Sequence, residues 1–410
     1  MKRLIGIYTG LPKSMYFICL ATVINRFGDF VVPFLALYLT QKIGMRAVTS
    51  GFIVTLASLI GIPASMIGGQ VSDILGRKKV YIIAQFISAV FLIPCALTRN
   101  AVISVSFLLL STFFNGFLRP AFSSIIADIL PAERRQAGFS LNYLAINVGV
   151  SVGPVVAGFL FNNLLPMLFI GDAITSFAAV FLIWKYVKEP DASLHKKSTK
   201  NKAEKAESGN ILQMLYKRPH ICLFIIIKSV YSFVYSQHKF ALPITLNAVF
   251  RNDGARIFGY VMSINAVTVL VLTVFIGALT RKNHALFNMV LSGIMYAVGF
   301  GMIGYVDSYS LIILSTIIWT TGEILSSTNA GVYVANNSPS NYRARLNAIY
   351  SIGGAIGSAA STSFSGAYIQ SYGCKSIWGL TLIISLIAVV CMFALKIFTQ
   401  KRAGSDFRRL

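Results

Sequence analysis

Charged residues are scarce in this chain. Asp, Glu, Lys and Arg make up 12% of 410 residues, against about 25% in a soluble globular domain. Acids are scarcer still, with 13 Asp and Glu set against 36 Lys and Arg. Cysteine is sparse as well. Cys19, Cys95, Cys222, Cys374 and Cys391 are odd in number and scattered, so neither a disulfide framework nor a metal-ligand spacing emerges. No phosphate-cradling glycine loop runs into a Lys-Ser or Lys-Thr pair, which excludes ATP coupling through a P-loop. No nucleophile–base constellation stands out. The chain therefore reads as no enzyme, with no catalytic residue, metal site or bound cofactor.

What the chain has instead is apolar length. It is 56% hydrophobic with a mean hydropathy of +0.71. Twelve runs read as helices: 14–40, 48–68, 80–98, 101–127, 137–162, 165–186, 220–248, 256–279, 285–305, 308–335, 345–370 and 376–397. Each is near the roughly 20 residues that cross a bilayer as a helix. Barrel strands are shorter and alternate in polarity, so they are excluded. The first run is too long for a signal-peptide core and reads as a retained helix. The expected fold is an all-α polytopic membrane protein with twelve transmembrane helices, spanning the plasma (cell inner) membrane as a monomer.

The net charge of +23 suggests nucleic acid at first sight, but that needs a basic face on a soluble surface. Here the cations lie in the connections. With the N-terminus in the cytoplasm, the outer loops keep only Lys42, Arg46, Arg99, Arg251, Arg256 and Lys375, and most other cations fall inside. This asymmetry places both termini in the cytoplasm and leaves no nucleic-acid partner.

A polar, basic stretch at 188–218 has a linker's composition and cannot bury a core. It separates two six-helix bundles, 1–187 and 219–410. The halves are related by a shift of 208 residues, which lays Ala127 on Ala335, Pro131 on Pro339, Arg135 on Arg343, Gly69 on Gly277 and Gly149 on Gly357. A weak fixed-offset repeat across a linker is the mark of transporters built from parallel repeats.

Between the second and third runs lies Gly69-Gln70-Val71-Ser72-Asp73-Ile74-Leu75-Gly76-Arg77-Lys78-Lys79, read as a compact charged turn. It resembles the signature loop of the major facilitator superfamily, except that Ile74 stands where a cation is usual. Gly149-Val150-Ser151-Val152-Gly153-Pro154, continuing to Gly158, resembles the fifth-helix element of that superfamily's drug:proton antiporters, with Ala157 and Ser140 replacing two glycines. A fourth-helix arginine motif survives only as Asn115-Gly116, since Thr112 occupies the arginine position. The resemblance implies that Asp73 meets Arg77 and the start of the eleventh helix, gating the cytoplasmic side. Lys78, Arg343, and a cluster of Asp128, Glu133 and Arg135 would support that gate. Gly149, Gly153, Pro154 and Gly158 allow close helix packing.

Ionisable groups inside the bilayer are costly, so each invites a functional hypothesis. Arg26 and Asp29 share one face of the first run. They form either a packing pair or a protonatable carboxylate tuned by its arginine. The resemblance places the first helix on the transport cavity, which favours the second reading. Glu323 has no opposite charge within a helical turn and reads as a proton-coupling acid or a hydrogen-bonded structural one; its counterpart under the shift is Asn115. Arg119 could bind an anionic head group or serve as counter-ion to Asp29 or Glu323. In the seventh run Gln237, His238 and Lys239 precede Pro243 as Arg26 and Asp29 precede Pro33; proline can open a membrane helix towards a cavity. His238 reads as a hydrogen-bonding partner between helices, Lys228 as snorkelling, and Asp172 as interfacial.

These features together suggest a secondary transporter driven by the proton gradient, whose partners are a small molecule, protons and the bilayer. Efflux of a hydrophobic or cationic compound, of the multidrug-antiport type, is the first expectation. Metabolite uptake or lipid head-group flipping by the same fold, and a non-transporting sensor or scaffold, are the alternatives.

Overall fold

The computed structural model describes residues 10–98, 100–131, 134–188, 218–280, 283–337 and 343–407. Helix covers each of the twelve apolar runs, and no strand occurs among the described residues. In chain order the helices are α1 (Lys13–Phe27), α2 (Val31–Leu37), α3 (Ala47–Leu75), α4 (Arg77–Leu97), α5 (Ala101–Ile129), α6 (Arg135–Asn163) and α7 (Leu165–Tyr186). After the linker come α8 (Pro219–Ser236), α9 (Ala241–Phe250), α10 (Gly254–Thr280), α11 (Ala285–Ile303), α12 (Tyr309–Asn337), α13 (Arg343–Tyr372) and α14 (Ser376–Phe407).

Among the described residues, ten stretches are long and apolar enough to cross a membrane, with Pro219–Thr280 counted as one. Arg343–Tyr372 is not one of them, because Gly, Ala and Ser dilute its hydropathy. The protein is thus an all-α, multi-pass membrane protein.

The boundaries carry the repeat more sharply than the residues do. Arg77 and Ala285 open α4 and α11, Ala101 and Tyr309 open α5 and α12, and Arg135 and Arg343 open α6 and α13. Each pair is separated by the same 208 residues as Ala127 and Ala335. Packing repeats too. In the first half α1 lies on α6 and α7, while α4 lies on α5 and α7; in the second α8 lies on α13 and α14, while α11 lies on α12 and α14.

The chain divides into two compact units. One comprises Met1–Arg46, Ile53–Asn201 and Leu246–Val267; the other comprises Ala47–Phe52, Lys202–Thr245 and Thr268–Leu410. The core of the first unit includes Met15, Ile18, Ile125 and Ile183, each fully buried. The second is centred on aromatic rings, Trp319, Phe300 and Trp378, stacked in series.

Two sequence expectations change. The stretch Gly69–Lys79 is not a turn throughout, since α3 continues to Leu75 and Gly76 alone reverses the chain. Gly76 has φ 97, a conformation that any Cβ would strain. The first and seventh runs, conversely, are not continuous helices. Each breaks near its middle, at Gly28–Phe30 and at Gln237–Phe240, again about one repeat apart. Proline expels the carbonyl four residues earlier from the helix ladder, and four residues before Pro33 and Pro243 stand Asp29 and Lys239.

Candidate functional site

The break between α1 and α2 gathers the charges of the first unit. Arg26 Nη1 donates to Asp29 Oδ2 at 3.0 Å, with side chains 42% and 28% exposed. Asp172, on α7, is 8% exposed and accepts from the backbone N–H of Val31 at 3.3 Å. It is therefore buried rather than interfacial. An interfacial carboxylate could keep its water shell; this one holds the amides that the break exposes at the start of α2, Phe30 among them. Asp29 and Arg26 stand within electrostatic reach of it. The result is two carboxylates and one guanidinium around an opened membrane helix.

Neighbouring helices hold this break tightly. A Cβ on Gly28 would meet Thr175 Oγ1 at 1.7 Å, one on Gly149 would meet Arg26 Cβ at 2.7 Å, and one on Gly153 would meet Phe27 O at 2.4 Å. Gly158 abuts Ala255 O, and the carbonyl of Pro154 lies against Gly259. Polar support comes from Gln85 and Asn25, both donating to Ser176 Oγ, at 2.8 and 3.3 Å. Gly28→Ala should lower the unfolding midpoint in detergent, an overpacking cost of about 1–3 kcal/mol. Adding Thr175→Ala should recover only part of that loss, because it removes Oγ1 and Cγ2 but keeps the residue 175 Cβ, 2.4 Å from the added methyl.

Elsewhere in this unit Asn115 and Arg119 are exposed, four residues apart on one face of α5. Neither makes a side-chain hydrogen bond or ion pair among the described residues, and Arg119 does not reach Asp29 as a counter-ion in this arrangement.

In the second unit the break between α8 and α9 presents Gln237, His238 and Lys239. Gln237 is fully buried; its Oε1 accepts from Ser365 Oγ at 2.8 Å, while its Nε2 has no partner among the described residues. His238 is buried, bonded through Nδ1 to the Tyr235 carbonyl, and its ring lies parallel to Trp319 at 5.7 Å. Lys239 is exposed. Glu323 is half-buried on α12, within electrostatic reach of Tyr296. Lys228 donates to Ser232 Oγ at 3.4 Å.

Around Gly76 the basic residues tie helix ends together. Arg77 pairs with Asp128 on α5 and reaches Ser124 O at 3.5 Å. Lys78 donates to Trp184 O at 2.9 Å, and Arg135 Nε to Ala127 O at 2.9 Å. Gly69 has room, with Pro120 its nearest neighbour at 3.8 Å. The side chains of Asp73 and Arg343, and Glu133 altogether, lie outside the described residues.

The profile of the Major Facilitator Superfamily matches residues 18–362. The chain belongs to this superfamily. Relatives are distant. An uncharacterised transporter of the superfamily from Bacillus subtilis (strain 168), YqjV, is 24% identical over 322 residues, 77% of each chain. A Na(+), Li(+), K(+)/H(+) antiporter of Planococcus maritimus is 21% identical over 351 residues, 80% of this chain and 82% of that one. Among solved structures, the nucleoside transporter NupG superposes with a TM-score of 0.77 at 16% identity, covering 94% of this chain and 98% of that one. That likeness concerns the fold. The superfamily consists of membrane transporters of small molecules, and this chain is a transporter.

Two features escaped sequence reasoning. Asp172 acts on a helix 141 residues away, which no local pattern signals. The pairing of Arg77 with Asp128 was hidden because both were assigned to separate clusters. The shift that matches Asp128 to Asn336 and Arg77 to Ala285 could have linked them.

Proposed function

We propose that this transporter exports a small hydrophobic or cationic compound in exchange for protons, by alternating access of its two six-helix halves. One observation carries the reading: a carboxylate, Asp29, sits beside an arginine at a break in a membrane helix and remains 28% exposed. A group so placed can exchange a proton with water and has a cation to set its affinity. Glu323 on α12 is the second candidate proton carrier. The Planococcus maritimus relative, named as a cation/proton antiporter, supports coupling of this kind. The distribution of Lys and Arg supports cytoplasmic termini and a cytoplasmic linker at 188–218 across twelve crossings; residence in the plasma membrane as a monomer belongs to the same proposal. Asp73, Arg77 and Arg343 would gate the cytoplasmic side.

The test is pH change on adding lipophilic cations to proteoliposomes containing wild type or Glu323→Gln. Protons released by wild type and lost in a carboxyl variant support the reading. If no cation moves protons, export by proton antiport fails. The second reading, transport of an anionic metabolite or lipid head group, draws on Arg119. Its exposed guanidinium has no ion-pair partner among the described residues, and anion uptake sensitive to Arg119→Ala would establish that role.

A further inference from the structure

Lys228 takes no part in the sites described so far. It lies nine residues past Pro219 in α8, about 13 Å along the axis at 1.5 Å per residue. The membrane-crossing stretch begins at Pro219. A helical side chain leans towards the N-terminal end of its helix, and here that direction leads to the nearer membrane surface and water. Lys228 leans the other way. Its Nζ donates to Ser232 Oγ at 3.4 Å, one turn further along α8. The ammonium is thus held towards the membrane interior, contrary to the snorkelling that the sequence suggested.

Nothing balances it there. Among the described residues no carboxylate forms an ion pair with Lys228, and Ser232 is its only hydrogen-bond partner. An ammonium held inside a membrane without a counter-charge is costly. Packing does not demand it either, since the repeat shift lays Lys228 on Leu20 of α1 and the matching helix is built with a leucine. The exposed apolar residues of α8 include Leu223 and Ile226, and Lys228 stands about 200° round the helix from Ile226. It is half-buried. Beside Ser232 the neighbouring α13 presents Gly354, where even an added Cβ would stand 3.5 Å from the hydroxyl. A cation and a hydroxyl therefore lie side by side next to a residue without a side chain, with no built-in anion.

We propose that Lys228 and Ser232 hold the carboxylate or phosphate group of a ligand, Lys228 by its charge and Ser232 by its O–H. Such a site rests on the second reading above, transport of an anion, and adds a second cation to Arg119. The group can belong to a soluble metabolite or to a lipid.

The test uses the purified full chain in a neutral detergent, stripped of lipid. Benzoate and phenyl phosphate are titrated at constant ionic strength, with benzyl alcohol as the uncharged control, while the unfolding midpoint is followed. Wild type should show a saturable rise with an anion and none with the alcohol. Lys228→Gln should weaken the apparent affinity about tenfold or more, Lys228→Arg should keep most of it, and Ser232→Ala should weaken it several-fold. Lys228→Leu carries the residue of the first half. It should abolish the response yet unfold, without ligand, at or above the wild-type midpoint, because an unbalanced charge is gone. A second arm uses nanodiscs of phosphatidylcholine with and without phosphatidylglycerol. A rise with phosphatidylglycerol alone, lost in Lys228→Gln, assigns the site to a lipid phosphate; a rise with benzoate or phenyl phosphate, lost in the same variant, assigns it to a soluble anion. If neither source raises the midpoint, or if wild type and Lys228→Gln respond alike, the proposal is overturned. Uptake of labelled benzoate into proteoliposomes separates the site from the reading it rests on. Equal uptake by wild type and Lys228→Gln leaves anion transport standing and removes the site; Lys228-dependent binding without uptake does the reverse.

Discussion

Asp29→Asn is expected to abolish substrate-driven proton release in proteoliposomes while leaving the fold nearly as stable as wild type. The two halves of this expectation rest on the same numbers. The Arg26–Asp29 pair is 42% and 28% exposed, so water already screens it, and such pairs stabilise a fold by only about 0–1 kcal/mol. Arg26, left alone, remains solvated. Proton exchange, by contrast, needs a group that can be both charged and neutral, and asparagine cannot be charged. Asp172, a few residues away in space, behaves in the opposite way. Buried and bonded to Val31 N, it should tolerate Asp172→Asn, which keeps an acceptor for the amide. Asp172→Ala orphans the amides at the break, at a cost of about 1–3 kcal/mol. Comparing the unfolding midpoints and the proton signals of the three variants separates the carboxylate that carries protons from the one that holds the helix. Should Asp29→Asn release protons like wild type, Asp29 is a packing residue.

The helices were legible because apolar length in a membrane chain leaves the backbone no other way to satisfy its amides. The breaks were half legible. Pro33 and Pro243 pointed to them, but Pro63, Pro94, Pro120 and Pro154 all lie inside helices that run on. What distinguishes the first break is Asp172, which receives the amides released there, and that partner comes from five apolar runs away. Tertiary capping of this kind leaves no trace in local spacing. The turn at Gly76 shows the reverse error. Five polar or glycine residues between Gly69 and Gly76 suggested loop, yet helix persists because glycine is tolerated in membrane helices and only a positive φ is needed to reverse the chain. Of the candidate site residues, those on one helix face were placed by periodicity. Those that meet across helices required the fold.

The repeat itself supplies the last expectation. Asp128→Ala should be among the most destabilising single changes in the first half, about 3 kcal/mol, because it leaves Arg77, only 23% exposed, without its carboxylate. The bond from Arg77 to Ser124 O, at 3.5 Å, is long and offsets little of that loss. Removing both charges is a different matter. The double variant Arg77→Ala with Asp128→Asn recreates the residues that the second half already carries as Ala285 and Asn336 at the matching helix ends. A pair of helices in this same protein folds with that combination. The double variant should therefore be more stable than Asp128→Asn alone, a non-additivity that a double-mutant cycle of Arg77→Ala and Asp128→Asn on the unfolding midpoint would read directly. Additive losses would mean that the two helix ends, alike in position, depend on different contacts. A recovery in the double variant would show that the stability of the first half does not require the pair.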